Sequence, residues 1–251
     1  VIKVKQLNKM FSEQAVVKNT TVNFEKNRVT SIIGPNGAGK STLLSMISRL
    51  LEKDSGSICI DGQALEEWAT ELLAKKLAVL RQANNVTMRF TVKELISFGR
   101  FPHSKGKLTA DDHQVIDNAI NYLDLTDIQD RYLDKLSGGQ RQLAFIAMVM
   151  AQDTDYILLD EPLNNLDIKH SLQIMRNIRR LAYELKKSVI IVIHDINFAA
   201  SYSDRIIAMK KGEVVIDGST EEVINTTVLE SIYETPFTVI EQNGKRICTY
   251  Y

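Results

Sequence analysis

The sequence predicts an α/β protein with a largely parallel sheet, and three observations carry that expectation. Strand-like and helix-like stretches alternate along most of the 251 residues. Residues 156–159 and 189–193 are continuous apolar runs between turn residues, as suits strands covered by helices on both faces. The strand-like run 29–33 passes straight into Gly34-Pro35-Asn36-Gly37-Ala38-Gly39-Lys40-Ser41, a glycine-rich loop that opens a helical pattern.

Taken in order, residues 1–7 and 16–24 alternate apolar with polar side chains and read as strands, ahead of the strand 29–33. Residues 40–51 carry helical spacing. Residues 57–60 form a short strand between Gly56 and Asp61-Gly62, and Leu77–Leu80 another. From Asn84 to Lys135 strand signals vanish and helical spacing takes over, with a loop expected at 101–108. Ser137-Gly138-Gly139 precedes a strong helix over 140–152. Lys211-Gly212 and Asn243-Gly244 are hairpin-turn dipeptides. No internal repeat, low-complexity tract or long linker is visible.

Composition excludes several classes. Hydrophobic residues at 44% and charged residues at 25% describe an ordinary globular chain, not a disordered or fibrous one. Lys plus Arg and Asp plus Glu are both 31, so there is no basic excess to displace counterions, and no nucleic-acid partner is expected. Cys59 and Cys248 with four scattered histidines make no metal-ligand spacing and read as thiols of a reducing compartment. The longest apolar run, residues 143–151, falls far short of the roughly 20 needed to cross a bilayer. Residues 1–7 do not read as a secretory signal.

The glycine-rich loop fits G-x-x-x-x-G-K-[ST] in its required strand–loop–helix context. Glycines let successive N–H groups point inward, and the helix N-terminus adds positive potential for phosphate oxygens. A nucleoside triphosphate is the expected ligand. Lys40 should reach the β- and γ-phosphates, and Ser41 should offer its hydroxyl to Mg²⁺. The run Tyr156-Ile157-Leu158-Leu159-Asp160-Glu161 delivers two adjacent carboxylates to a strand's C-terminal end, where ligands of open α/β sheets gather. Adjacent strand residues point to opposite sides, which predicts different tasks. Asp160 is expected to hold Mg²⁺ through water, and Glu161 to orient or deprotonate the attacking water.

At Leu136-Ser137-Gly138-Gly139-Gln140 the sequence resembles, over essentially its whole length, the nucleotide-binding subunit of an ATP-binding cassette (ABC) transporter. That resemblance implies a P-loop NTPase core with a mixed sheet and an N-terminal antiparallel β part, 1–83 and 153–251, plus an inserted helical subdomain, 84–152. ATP and Mg²⁺ are the implied ligands. Gly34, Asn36, Gly37, Ala38, Gly39, Lys40, Ser41 and Thr42 become the phosphate-binding set, and Phe11 the ring stacked on adenine, where Tyr is commoner. Gln82 matches the glutamine loop that contacts Mg²⁺ and water, Asp167 in Leu163-Asn164-Asn165-Leu166-Asp167 the D-loop, and His194 the switch histidine facing the γ-phosphate. Ser137, Gly138, Gly139 and Gln140 grip the γ-phosphate held by an opposing subunit, so the family pairs two chains head to tail around two ATP molecules. Each motif has a plain structural reading beside it: Phe11 as packing, Gln82 as a surface amide, Ser137 as an N-cap, His194 as a satisfied histidine. Leu163 departs from the family's Thr or Ser, and Leu143 stands where a basic residue is frequent.

Thr91-Val92-Lys93-Glu94-Leu95-Ile96-Ser97-Phe98-Gly99-Arg100-Phe101-Pro102-His103 resembles the permease-docking region of importers of iron–siderophore, haem and cobalamin complexes. The short C-terminal tail points the same way. The implied assembly is a homodimer beneath two transmembrane permease subunits, peripheral on the cytoplasmic side of the cell membrane. An extracytoplasmic substrate-binding protein delivers the cargo. A soluble ABC ATPase of iron–sulfur cluster assembly, or an importer of haem or cobalamin, remains the alternative.

Overall fold

The computed structural model describes residues 1–82 and 89–250. The expected 83/84 boundary lies outside the described residues. The chain divides into two compact units, one of Val1–Trp68 with Arg179–Tyr251 and one of Ala69–Ile178.

The first unit holds an antiparallel sheet in the order Gln14–Phe24, Ile2–Phe11, Ser55–Ile60, Gln63–Ala64. Ile2 and Val4 are buried while Lys3 and Lys5 are exposed, the alternation of a half-covered strand. The strand runs on to Phe11, beyond the expected residue 7, because irregularities after Val4 and Leu7 reset the register and keep Leu7 inside. Gly56 is where the neighbouring strand crosses Gln6: a Cβ there would stand 2.4 Å from the Gln6 carbonyl oxygen.

The unit's second sheet contains Glu213–Ser219, Arg205–Lys210, Val29–Ile33 and Ser188–Val192 in that order. Val29–Ile33 runs parallel to both of its neighbours, and every residue of Val29–Ile33 and Ser188–Val192 is buried. That burial is why residues 189–192 read as an unbroken apolar run rather than an alternating one, and the polar Thr30 and Ser31 are buried along with their apolar neighbours. Lys211-Gly212 turns the antiparallel hairpin with φ of 51° and 88°, and Asn243-Gly244 turns Thr238–Gln242 into Lys245–Thr249 with 53° and 69°, both hairpins as expected. The helix expected over 40–51 ends sooner, at Ile47. Arg49 takes a left-handed conformation, and the Leu50 amide returns to the Ser45 carbonyl, a helix stop made without glycine.

The second unit is mainly helical. It includes Thr70–Lys76, Val92–Phe98, Phe101–Ser104, Ala110–Tyr122 and Gly138–Ala151, with the parallel pair Leu77–Leu80 and Tyr156–Asp160. Helix Ile168–Tyr183 begins in it. Helix Gly138–Ala151 is its centre, burying Leu143, Phe145, Ile146 and Val149. Leu143 is 4% exposed, so a basic side chain there would enter apolar packing. Three helices of this unit start in capping boxes, Thr91 with Glu94, Thr109 with Asp112, and Ser137 with Gln140. Phe101–Ser104 is a single helical turn where a loop was expected, since Pro102 in a first turn forfeits no helical hydrogen bond.

The Thr91–His103 stretch is tied into this unit by its last residues. The Gly99 backbone lies against helix Gly138–Ala151 so closely that a Cβ would sit 2.1 Å from the Met148 carbonyl oxygen. The Arg100 Nε donates to Asp112 Oδ1 at 2.8 Å and its Nη1 to the Ala151 carbonyl at 2.9 Å. A guanidinium at a helix C-terminus also opposes the negative end of the helix dipole. His103 Nε2 and the Gln152 carbonyl are 3.0 Å apart.

Candidate functional site

In the first unit the phosphate loop leaves strand Val29–Ile33 and enters helix Lys40–Ile47. Gly34, Gly37 and Gly39 have φ of 141°, 76° and 97°, values that side-chain-bearing residues rarely adopt. Gly34 and Gly39 are needed for space as well: a Cβ would stand 2.0 Å from the Met209 carbonyl oxygen at the first and 2.5 Å from the Val16 carbonyl oxygen at the second. Asn36 and Gly37 form the exposed crest, while Ala38, Gly39 and Lys40 are buried and Ser41 and Thr42 half-buried. The Lys40 ammonium donates to the Gly34 and Pro35 carbonyls at 2.8 and 3.0 Å, which fixes the cation inside the curl of the loop. Ala38 is held from both sides, its amide on the Pro35 carbonyl at 3.2 Å and its carbonyl accepting from the Gly212 amide at 3.2 Å.

Phe11 ends strand Ile2–Phe11 with its side chain 48% exposed and Lys9 Nζ 5.6 Å from the ring centre. The ring is therefore not part of the core. His194 is exposed just past strand Ser188–Val192, and the next residue, Asp195, caps helix Ile196–Tyr202 by accepting from the Phe198 amide at 3.0 Å.

In the second unit Asp160 is the half-buried last residue of strand Tyr156–Asp160. Glu161 follows with φ of 50°, so the chain has left the strand and side-chain alternation no longer governs it. A left-handed glutamate is a strained position of the kind that gathers at functional sites. Gln82 Nε2 donates to Glu161 Oε2 at 2.6 Å, and Asn164 Nδ2 donates to the same oxygen. Sequence reasoning singled out Gln82 and Glu161 separately but not their hydrogen bond, and gave Asn164, within the D-loop, no role of its own. A polar residue three positions after the glutamate was the available signal.

Ser137 is exposed and accepts from the Gln140 amide at 3.2 Å, while Gln140 Oε1 accepts from the Ser137 amide at 3.2 Å. The N-cap reading of Ser137 is thus its observed local role. It does not exhaust the residue, since a hydroxyl that accepts can still donate. Gly138 is exposed and Gly139 buried within the first helical turn. Asp167 is exposed; its Oδ1 accepts from the His170 amide and lies 2.8 Å from His170 Nδ1. The His170 amide, followed by its imidazole, holds the Asp167 carboxyl below the ordinary carboxylate range.

The strand, glycine loop, buried lysine and helix together define a nucleoside-triphosphate-binding protein of the P-loop class. The profile of the ABC transporter family matches residues 17–164. The chain is 54% identical over 251 residues, covering all of both chains, to the petrobactin import ATP-binding protein YclP of Bacillus subtilis (strain 168). It is 48% identical over 250 residues, again covering all of both, to the petrobactin import ATP-binding protein FatE of Bacillus anthracis. Among solved structures it resembles the dimeric form of MJ0796, a bacterial ABC transporter cassette, with a TM-score of 0.76 and 30% identity over 88% of this chain and 99% of that one. The chain belongs to the ABC transporter family, and its fold is that of an ABC ATPase cassette.

Proposed function

We propose that this chain is the ATP-hydrolysing subunit of an ABC importer that takes up an iron(III)–siderophore complex, with ferric petrobactin as the first cargo to test. The observation that carries the enzymatic part is the glycine-lined loop closed around Lys40. The end-to-end likeness to two petrobactin import ATP-binding proteins supports the cargo.

The residues fit the ligand chemically. Amides of 36–42 at the start of helix Lys40–Ile47 suit phosphate oxygens, and a Cβ at Gly34 or Gly39 would spoil the curl that aims them. Lys40 exchanges its carbonyl partners for β- and γ-phosphate oxygens, and Phe11 offers an exposed ring to the base. By the family resemblance Mg²⁺ would be held by the Ser41 hydroxyl, the Gln82 amide oxygen and, through water, Asp160, and it would neutralise phosphate charge. Glu161 acts as general base or water-orienting group, its Oε2 held by Gln82 and Asn164 so that the carboxylate cannot turn away. His194 stands at the end of its strand to meet the γ-phosphate.

Ser137, Gly138, Gly139 and Gln140 take the γ-phosphate of a second copy of the chain, with Asp167 contributing beside them, so that two chains close head to tail on two ATP molecules. The permease docks on residues 84–152. Its contact surface includes Phe98 and Phe101, exposed by 48% and 61%, joined by Leu72 at 57% on the neighbouring helix Thr70–Lys76. Among the described residues no helix is long and apolar enough to cross a membrane. The proposed attachment is peripheral, through the permease at the cytoplasmic face. A substrate-binding protein delivers the cargo to the permease from outside.

The test is uptake of radioactive iron as its petrobactin complex by cells that lack the native subunit and carry this chain with its permease. Glu161→Gln should abolish uptake and cut turnover by about 100-fold or more while ATP still binds. Hydrolysis at the unaltered rate would remove Glu161 from this role, and uptake of a different chelate in place of petrobactin would replace the cargo.

A further inference from the structure

His170 is not among the residues that bind or cleave ATP in the reading above, yet it touches two of the motifs that do. Its Nδ1 is 2.8 Å from Asp167 Oδ1, and its backbone amide donates to the same oxygen at 2.8 Å. An ionised carboxylate only accepts, so Nδ1 carries the proton. The imidazole also lies against the first turn of the signature helix. A Cβ built on Gly139 would stand 2.2 Å from His170 Cδ2 and 2.3 Å from Cγ, whereas one on Gly138 would meet, among the described residues, only Leu166 Cδ2, at 3.6 Å. Within the chain, then, it is His170 that makes glycine obligatory at 139, while position 138 has room. The side chain is half-buried, too enclosed to be a mobile surface group.

We infer that His170 is a positioning residue for hydrolysis, fixing the Asp167 carboxylate and the Gly139 end of the signature helix in one relation so that both reach the second copy of the chain together. This rests on the roles proposed for Asp167 and the signature motif. Remove the imidazole and the His170 amide still caps through Asp167, so helix Ile168–Tyr183 keeps its start. What is lost is the second hydrogen bond, which stops the carboxylate rotating, and the ring that spaces the D-loop from Gly139. Nothing at the phosphate loop changes.

The variants separate these contributions. His170→Ala removes both contacts; His170→Asn places an amide nitrogen near the position of Nδ1 and restores the donor without the ring. For His170→Ala, kcat at saturating ATP should fall about tenfold, the worth of one charge-assisted hydrogen bond. ATP affinity of the single chain should stay within about twofold, because the loss is confined to the closed pair. In a Glu161→Gln background, ATP-driven pairing read by analytical sedimentation should weaken by a similar factor. His170→Asn should recover most of both losses. A wild-type kcat and wild-type pairing in His170→Ala would overturn the inference. So would His170→Asn as impaired as His170→Ala, since that leaves only ring packing, a structural role. Asp167→Ala serves as the control on the underlying reading: if it is impaired while His170→Ala is not, only His170 loses its role. If both are silent, the role of Asp167 fails with it.

Discussion

Replacing Arg100 by methionine keeps most of the side chain's volume and deletes its charge and all of its hydrogen bonds. Arg100 and Asp112 are 8% and 4% exposed and 2.8 Å apart, so the change strands a carboxylate away from water. Breaking a buried pair from one side usually costs about 3–5 kcal/mol. Here Asp112 Oδ2 keeps the Thr109 amide and hydroxyl at 3.0 and 2.9 Å, which places the cost near the lower end. The lost bond to the Ala151 carbonyl adds about 1 kcal/mol. The expected total is about 4 kcal/mol, read in urea unfolding as a midpoint lowered by roughly 1.3 M at a slope of about 3 kcal/mol per molar. Adding Asp112→Asn should return part of the loss, because the buried charge disappears while a capping oxygen remains. The same pair sets a pH dependence. The Thr109 amide first, and then Arg100, hold the Asp112 carboxyl down to about 2 from an ordinary value of 3.8. A lowered carboxylate stabilises the folded chain fully above its unfolded value, and that contribution is lost as pH falls from about 4 towards 2. In Arg100→Met the acid limb of stability should flatten. A loss below about 1 kcal/mol for Arg100→Met would refute the claim that this ion pair anchors the C-terminal end of the signature helix.

Two further substitutions separate the motifs. Lys40→Ala should weaken ATP binding by about 10- to 100-fold in calorimetry, the worth of a charge-assisted bond to phosphate, and unchanged affinity would remove the lysine from the phosphate site. Ser137→Arg should leave ATP binding by the single chain intact yet prevent pairing in the Glu161→Gln background, because bulk and charge enter the face that meets the second copy. A normal closed pair in sedimentation would refute the use made of the signature motif.

Much of the architecture was legible because it is set by short-range physics. Leu77–Leu80 is an unbroken apolar run and Val29–Ile33 ends where the glycine-rich loop begins, so both could be bounded to the residue. Lys-Gly and Asn-Gly demand positive φ, so two hairpins could be placed. The capping boxes at Thr91 and Thr109 are equally legible as T-x-x-E and T-x-x-D. The end of helix Lys40–Ile47 was not legible, because Arg49 supplies the left-handed turn usually marked by glycine. Nor was the turn at Glu161, where an adjacent carboxylate pair looked like the alternation of a strand that had already ended.

By itself, then, the sequence determined the class of fold, the phosphate loop and the family, since each is written in contiguous residues whose backbone demands are local. Only the tertiary structure decided that Gln82 holds Glu161 across 79 positions, that Arg100 closes the helix ending at Ala151, and that His170 rests on Gly139. Those contacts depend on which distant segments folding brings within about 3 Å, and a hydrogen bond or a steric exclusion over that reach leaves no periodic trace in the chain.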